Sequence, residues 1–436
     1  MSLADWLAGS PYQGYSYGYP HKTAYRPLTP PAPLADAWAG ENRASLFLYL
    51  HVPFCEMRCG FCNLFTQPQP QQEIVAGYLQ ALRRQAAVVR EALGPARFAR
   101  CAIGGGTPTF LAVDELAGLL DIARILGVDL AAAPTSIEVS PETVTPDRLA
   151  LLRQHGVERV SIGVQSFFED ETSAVARPQQ RAVVERTLEQ LRTAGFPTLN
   201  IDLIYGLPGQ DRGRWLQSLE AALAYRPEEL YLYPLYVRPL TGLGKSSRQW
   251  DDGRLDCYRA AVDVLTARGY RQESMRFFRR ADAPSTGGPV YCCQDDGMVG
   301  LGCGARSYTR RLHYSTEFAV GQRGVRAIIA DFNARSDSAF AHADHGFMLD
   351  VAEQRRRFVI QSLLQTTGLD AAAYRRRFGS ELSSDFSQLG ELVDLGLATA
   401  SDGVRLTGAG LERSDVIGPW LYSDDVRQRM AEYELR

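Results

Sequence analysis

LFLYLHVPFCEMRCGFCNLF (residues 46–65) is the stretch from which the rest of the chain is read. Its first part, LFLYLHV (46–52), is an apolar run with the look of a buried strand. It leads straight into Cys55, Cys59 and Cys62, spaced C-x-x-x-C-x-x-C. Three soft thiolates on one tight loop suit an iron–sulfur centre. Three ligands for the four irons of a 4Fe-4S cluster leave one iron open. An open iron can chelate the amino and carboxylate groups of S-adenosyl-L-methionine (SAM). Electron transfer into the sulfonium then breaks a C–S bond and gives a 5′-deoxyadenosyl radical. Zinc is the rival reading, but a structural zinc takes four ligands, often from two C-x-x-C knuckles, and the sequence has no partner knuckle.

Outward from this stretch, short apolar runs alternate with amphipathic segments. The runs are 46–52, 98–105, 135–140, 158–164, 198–205 and 229–236; helical segments fall near 73–93, 113–126, 146–155, 180–194, 212–224 and 253–268. This alternation predicts an α/β fold, a parallel sheet wrapped by helices. Six strand–helix units fit a partial or full barrel, with chemistry at the C-terminal ends of the strands. Residues 1–44 are rich in Tyr, Pro and Gly and read as a segment packed over the cleft, ahead of a barrel with an extension over 45–345. A Gly/Pro/Ser-rich break spans 283–289, with irregular chain to about 345. Residues 346–436 read as a small helical, winged-helix-like domain, with a hairpin turning at Asp402-Gly403.

Further motifs sit at strand ends. Consecutive glycines in IGGGTPTFL (103–111) let backbone approach a ligand closely. Glu138, Gln165 and Asp202 place polar groups where buried strand ends belong, and such groups are costly without a partner or ligand. Arg177 is a candidate carboxylate clamp. Cys101 and Cys257 read as core residues. Cys303 lies close to a ligand-facing glycine run. Cys292-Cys293 reads as buried thiol before redox pair. His21 and His313 read as structural hydrogen-bonding residues, with proton transfer as the alternative.

In order, the cysteine loop, GGGTPT (104–109), IEVSPE (137–142), GVQSF (163–167), the Arg177 segment and IDLIYGLPGQ (201–210) resemble the oxygen-independent coproporphyrinogen III dehydrogenase family of radical SAM enzymes. MVGLGCGARSY (298–308) and LTGAGLERSDVIGPWL (406–421) extend the resemblance over most of the chain. It implies a partial (β/α)6 radical SAM barrel with the small C-terminal domain. It also implies SAM contacts from Tyr49, Gly105, Gly106, Thr107, Glu138, Gln165, Arg177 and Asp202. Phe61, Tyr233, Leu235, Gly302 and Ala305 would line a second SAM site or the substrate cavity. One departure stands out. The porphyrinogen enzymes carry a cysteine two positions after the third, and here that position is Leu64, after Asn63. This motivates the expectation of two SAM molecules and of C-methylation or cyclopropanation, with a partner methyltransferase. The alternatives are coproporphyrinogen III decarboxylation and haem binding by a chaperone.

A net charge of −3 gives no reason to expect nucleic acid or an anionic membrane. No signal peptide or long apolar run is visible, so a cytoplasmic monomer is expected. Its partners would be a small-molecule substrate and a reductant such as flavodoxin or ferredoxin.

Overall fold

Along the strand Leu46–Val52, Leu46, Leu48, Leu50 and Val52 are fully buried, while Phe47 and Tyr49 between them are partly open. The pleat sends alternate residues to opposite faces. One face therefore packs in a core with Val75, Tyr78 and Leu82 of a covering helix, and the other is left for the site. The computed structural model describes residues 2–16, 18–245, 253–285, 292, 293 and 296–435. The break expected at 283–289 lies partly outside them.

Among the described residues, thirteen strands form one sheet. In chain order they are β1 (Arg26–Pro33), β2 (Leu46–Val52), β3 (Phe98–Gly105), β4 (Thr135–Val139), β5 (Val157–Gln165), β6 (Thr198–Tyr205), β7 (Glu229–Pro234), β8 (Tyr270–Gln272), β9 (Phe277–Arg280), β10 (Met298–Leu301), β11 (Arg306–Tyr308), β12 (Leu312–Ser315) and β13 (His342–Met348). Their spatial order is β1-β13-β12-β11-β10-β2-β3-β4-β5-β6-β7-β9-β8. From β10 to β7 every pairing is parallel. The sheet does not close on itself. Helices α1 (Gln72–Leu93), α2 (Val113–Ile125), α3 (Pro146–Gln154), α4 (Arg181–Ala194), α5 (Arg212–Leu223) and α6 (Arg254–Ala267) connect or follow the strands from β2 to β7. This is the open α/β architecture that the alternating pattern predicts, within two residues at nearly every boundary.

Two regions differ from the sequence expectation. The chain from 298 to 345 is regular, supplying β10–β13 and the helix α7 (Gln322–Ala334). Its strands are three to seven residues long and interrupted by glycine and arginine, so no apolar run marks them. Further, β10 adds a seventh parallel strand beside β2. The proline-rich residues 26–33 form the outermost strand, β1, paired antiparallel with β13. Proline is tolerated there because an edge strand leaves one row of its N–H positions without ladder partners.

The C-terminal region has its own core. Phe358, Ile360 and Leu363 of α8 (Val351–Leu363) pack with Tyr374, Leu392 and Leu406. The Asp402-Gly403 hairpin forms between Ala398–Ala400 and Gly403–Leu406. Leu3, Tyr19, Ala24 and Tyr25 belong to this same core. The N-terminal segment thus runs between the sheet and the C-terminal region. Tyr15 meets Tyr233 with ring centroids 6.3 Å apart, and Gly14 N–H donates to the Asp415 carbonyl.

One buried ion pair ties these parts together. Arg276, 4% exposed, donates through Nη2 to both carboxylate oxygens of Asp415 at 2.6 Å. Asp415 opens α9 (Ser414–Trp420) and is 1% exposed. The Tyr236 hydroxyl bonds to both partners, and Arg276 lies 3.9 Å over the Tyr15 ring. Arg276→Met strands a buried carboxylate, so urea denaturation should show a loss of about 3–5 kcal/mol. An unchanged midpoint contradicts this role.

Candidate active site

The cysteine loop is pinned by backbone before any side chain acts. Gly106 N–H donates to the Val52 carbonyl and Thr107 N–H to the Phe54 carbonyl, both at 2.7 Å. The β2–β3 pairing therefore continues past the strand ends and clamps the root of the loop. Gly60 N–H donates to the Val175 carbonyl at 2.8 Å, anchoring its middle. Glycine is required in the 104–106 run because protein groups fill the space of a side chain. A Cβ at Gly106 would lie 2.3 Å from the Phe54 carbonyl oxygen. One at Gly105, where φ is +114°, would lie 2.5 Å from His51 Cε1.

Each thiol has a separate neighbour. Thr107 Oγ1 donates to Cys55 Sγ at 3.7 Å, Arg177 Nη1 donates to Cys59 Sγ at 3.2 Å, and Cys62 Sγ lies 3.9 Å from Thr66 Oγ1. Burial pushes the Cys55 thiol up to about 12 and raises Cys62 as well. A thiolate here needs a cation beside it, as bound iron provides. Among the described residues no three His, Cys, Asp or Glu side chains gather around a single ion position. A cluster, in which each thiolate meets its own iron, does not need that convergence.

Arg177, the candidate clamp, also donates through Nη2 to the Gly163 carbonyl at 2.7 Å, while its buried Nε makes no hydrogen bond. Gln165 ends β5 with φ of +68°, a left-handed conformation that non-glycine residues rarely adopt. Its amide lies against Gly163, close to Arg177.

Glu138 on β4 and Asp202 on β6 form the acidic part. Glu138 accepts from Gly105 N–H at 3.0 Å and is open to the cleft, though ringed by protein. That enclosure raises its carboxyl to about 7, with Asp202 adding to the effect. Asp202 accepts from Asn200 Nδ2 at 2.7 Å and Ser161 Oγ at 3.3 Å, and burial raises it to about 6. On the β7 side, Phe61, Tyr233 and Leu235 share an apolar cluster with Val175 and Ile204. Gly302 and Ala305 stand apart at the end of β10, across the parallel array, where Gly302 N–H donates to Gln85. The residues expected to line a second SAM site or the substrate cavity thus come from both ends of the parallel array.

His51 escaped the motif reading. It is 4% exposed and donates through Nε2 to the Phe65 carbonyl at 2.9 Å, which leaves Nδ1 to accept from the Tyr49 hydroxyl at 3.2 Å. Its position two residues after Tyr49, on the same strand face, was the available signal. Burial, with Lys22 and Arg306, lowers it to about 4. His21, the expected hydrogen-bonding residue, does bond to Thr23, and burial with Lys22, Arg306 and Arg238 lowers it to about 3. His313 is fully buried: burial, Arg357 and Arg306 lower its pKa well below the usual range, against a hydrogen bond with the Thr309 backbone.

A three-thiol loop at the C-terminal edge of a parallel α/β sheet, with two carboxyls of raised pKa on neighbouring strands, defines an iron–sulfur and SAM type of site. The family model for the radical SAM superfamily matches residues 49–222, and that for the HemN C-terminal domain matches 349–412. The heme chaperone HemW of Bacillus subtilis is 28% identical over 389 residues, covering 86% of this chain and 98% of that protein. The oxygen-independent coproporphyrinogen III oxidase of Paracoccus denitrificans is 30% identical over 348 residues, covering 70% of this chain and 76% of that protein. The structure of coproporphyrinogen III oxidase from Escherichia coli shares the fold, with a TM-score of 0.77 over 96% of this chain and 98% of that one, at 23% identity. The chain belongs to the radical SAM superfamily, in the group that joins this domain to a HemN C-terminal domain. That family implies a 4Fe-4S cluster and SAM, and the loop geometry fits the cluster. Among the described residues no helix is long and apolar enough to cross a membrane.

The two raised carboxyls give a pH signature. Both hold a proton more tightly folded than unfolded. Their contribution is full below the ordinary carboxyl range of about 4 and is lost as pH rises through about 6 and about 7. In the ligand-free protein, the melting temperature should fall across that window, and Glu138→Gln should flatten the fall. The same slope in variant and parent contradicts the assignment.

Proposed function

We propose that the chain is a radical SAM oxidoreductase acting on a carboxylate-rich substrate of the coproporphyrinogen III type, converting a propionate side chain to a vinyl group. The observation that carries this reading is the cationic surrounding of His21 and His51. Lys22, Arg238 and Arg306 act on His21, and Lys22 and Arg306 act on His51, which stands beside the cysteine loop. Lysine is rare in this chain, with Lys22 and Lys245 its only two, and Lys22 comes from the N-terminal segment. Cations gathered beside the site suit carboxylates better than an apolar or cationic substrate.

The bound cluster and SAM supply a 5′-deoxyadenosyl radical that removes hydrogen from carbon. Cys55, Cys59 and Cys62 would hold the cluster, and Arg177 would offset thiolate charge at Cys59. Glu138 and Asp202 suit the cationic part of SAM, whose charge replaces the proton these groups otherwise keep. Tyr15 and Tyr233 would help to exclude water above the reacting carbon. Overall, one propionate –CH2–CH2–COO⁻ loses a hydrogen atom to the radical, carbon dioxide from its carboxylate and one electron to an acceptor, leaving –CH=CH2. A flavodoxin or ferredoxin class of reductant would feed the cluster.

The methyl-transfer expectation rested on Leu64 and is not carried forward. It finds no support in relatives that bear porphyrinogen-oxidase and heme-chaperone names. Haem binding is the second reading, favoured by the likeness that spans 98% of the heme chaperone. Under the first reading, the anaerobically reconstituted protein converts coproporphyrinogen III to vinyl product with SAM cleavage. SAM cleavage without conversion overturns it, and stoichiometric haem uptake in a Soret titration would then favour the second.

A further inference from the structure

Gln165 closes β5 in a backbone shape that glutamine does not favour. Its φ of +68° is left-handed, and Ser166 N–H donates to the Val164 carbonyl at 2.8 Å across it. A three-residue turn of that hand is rare because it is strained. The pairing with β6 slips at the same point. Gly163 pairs with Asp202 and Gln165 with Leu203, so Val164 is an extra residue. The turn folds the Gln165 side chain back over Gly163, where a Cβ would lie 2.7 Å from Gln165 Nε2. Because Gly163 and Asp202 are paired, the amide comes to the sheet face that carries Asp202.

Such strain persists only where the surroundings over-determine it. Here they are the segment that follows the short helix Glu169–Ala174. Ala176, itself left-handed with φ of +52°, turns that segment back toward β5. Its side chains then capture the carbonyls at the end of the strand. Arg177 takes that of Gly163. Gln179 takes the two that flank Gln165: its Nε2 donates to the Val164 carbonyl at 2.7 Å and to the Ser166 carbonyl at 2.9 Å. The amide cannot be reversed, since its oxygen would then face two acceptors. Gln179 Oε1 is buried without a hydrogen bond, which is a cost, so what the amide contributes here is its donors. Beyond the turn, Ser166 Oγ donates to the buried Glu171 carboxylate at 2.6 Å, which fixes the chain that follows and not the turn itself.

We infer that Gln179 is a positioning residue for the SAM site: by gripping the Val164 and Ser166 carbonyls, its amide holds Gln165 in the strained turn that presents it beside Asp202. The inference rests on the SAM site read above, with Gln165 among its contacts, and is independent of the substrate. Two residues of one segment thus divide the work. Arg177 joins the Cys59 thiol to the Gly163 carbonyl and serves the cluster loop. Gln179 acts two residues on, through the turn, and serves SAM.

The test uses reconstituted full-length protein and the variants Gln179→Met, Gln165→Gly and the two combined. Methionine keeps the length of the side chain and removes its donors. Glycine removes the Gln165 side chain and accepts the left-handed shape freely. SAM is titrated anaerobically through the shift it causes in the electron paramagnetic resonance signal of the cluster, with iron content measured alongside. Each single variant should weaken SAM about tenfold, the scale of one or two lost hydrogen bonds. Iron content and the SAM-free signal should match the parent, which excludes misfolding as the cause. The combined variant should bind SAM no more weakly than Gln165→Gly, because a residue that acts through Gln165 then has nothing left to position. Without SAM, Gln165→Gly should raise the melting temperature of the parent, by relieving the turn, and leave that of Gln179→Met unchanged. Unaltered SAM affinity in Gln179→Met overturns the inference, as does loss of iron from it. Additive losses in the combined variant, or an equal gain in melting temperature in both backgrounds, overturn it too. A Gln165→Gly variant that binds SAM like the parent removes Gln165 from the SAM site and the inference with it. A protein that shows these couplings and does not convert coproporphyrinogen III keeps the inference and loses the decarboxylation reading.

Discussion

Parallel pairing of β2 with β3 is the constraint on which the rest depends. It runs from Leu46 to Val52 against Phe98 to Gly105 and continues as two backbone bonds from Gly106 and Thr107 to Val52 and Phe54. Those bonds fix where the cysteine loop leaves the sheet. The β-strand alternation then sends Leu46, Leu48 and Leu50 to the helix-covered core and Tyr49 and His51 to the site. A register slip of one residue would reverse both faces at once. It would bury His51 in the core and leave the cysteines without Thr107. The stability of the core and the geometry of the site thus share one cause.

Around that clamp the site is assembled from separate strands, each contributing one or two groups. Thr107 reaches Cys55 from β3, Arg177 reaches Cys59 from beyond β5, and Glu138 and Asp202 stand on β4 and β6. Carboxylates stand on β4 and β6, while Arg306 stands on β11, Lys22 on the N-terminal segment and Arg238 just beyond β7. The proposed function sets the cofactor's cationic part beside the carboxylates and a polyanionic substrate beside the cations. The buried Arg276–Asp415 pair holds the C-terminal region and the N-terminal segment against the sheet. The cationic side is completed only when both are in place.

Much of this is legible in the sequence, for physical reasons. The six strand–helix units from 46 to 268 are apparent because buried parallel strands are long apolar runs and their helices carry an apolar stripe. The triplet Cys55, Cys59, Cys62 is apparent because thiols are rare and their spacing is short. The region 298–348 is not legible, since its strands are brief and mix glycine with arginine. They gain stability from neighbours that the local sequence does not name. His51 is hidden for a related reason: its environment comes from distant residues such as Phe65 and Arg306. Arg177 is legible as a guanidinium near a strand end, but its neighbours are not. Only the fold shows that Cys59 and Gly163 lie against it. Leu64, 47% exposed beside the loop, marks a departure from porphyrinogen oxidases without by itself assigning another reaction.

The central claim is that Cys55, Cys59 and Cys62 hold a cluster with one iron left for SAM. Electron paramagnetic resonance of the anaerobically reconstituted and reduced protein, recorded with and without SAM, tests it most directly. The account predicts a 4Fe-4S signal that shifts when SAM is added and is absent from Cys59→Ala. A signal indifferent to SAM, or one that survives loss of the cysteines, would contradict it.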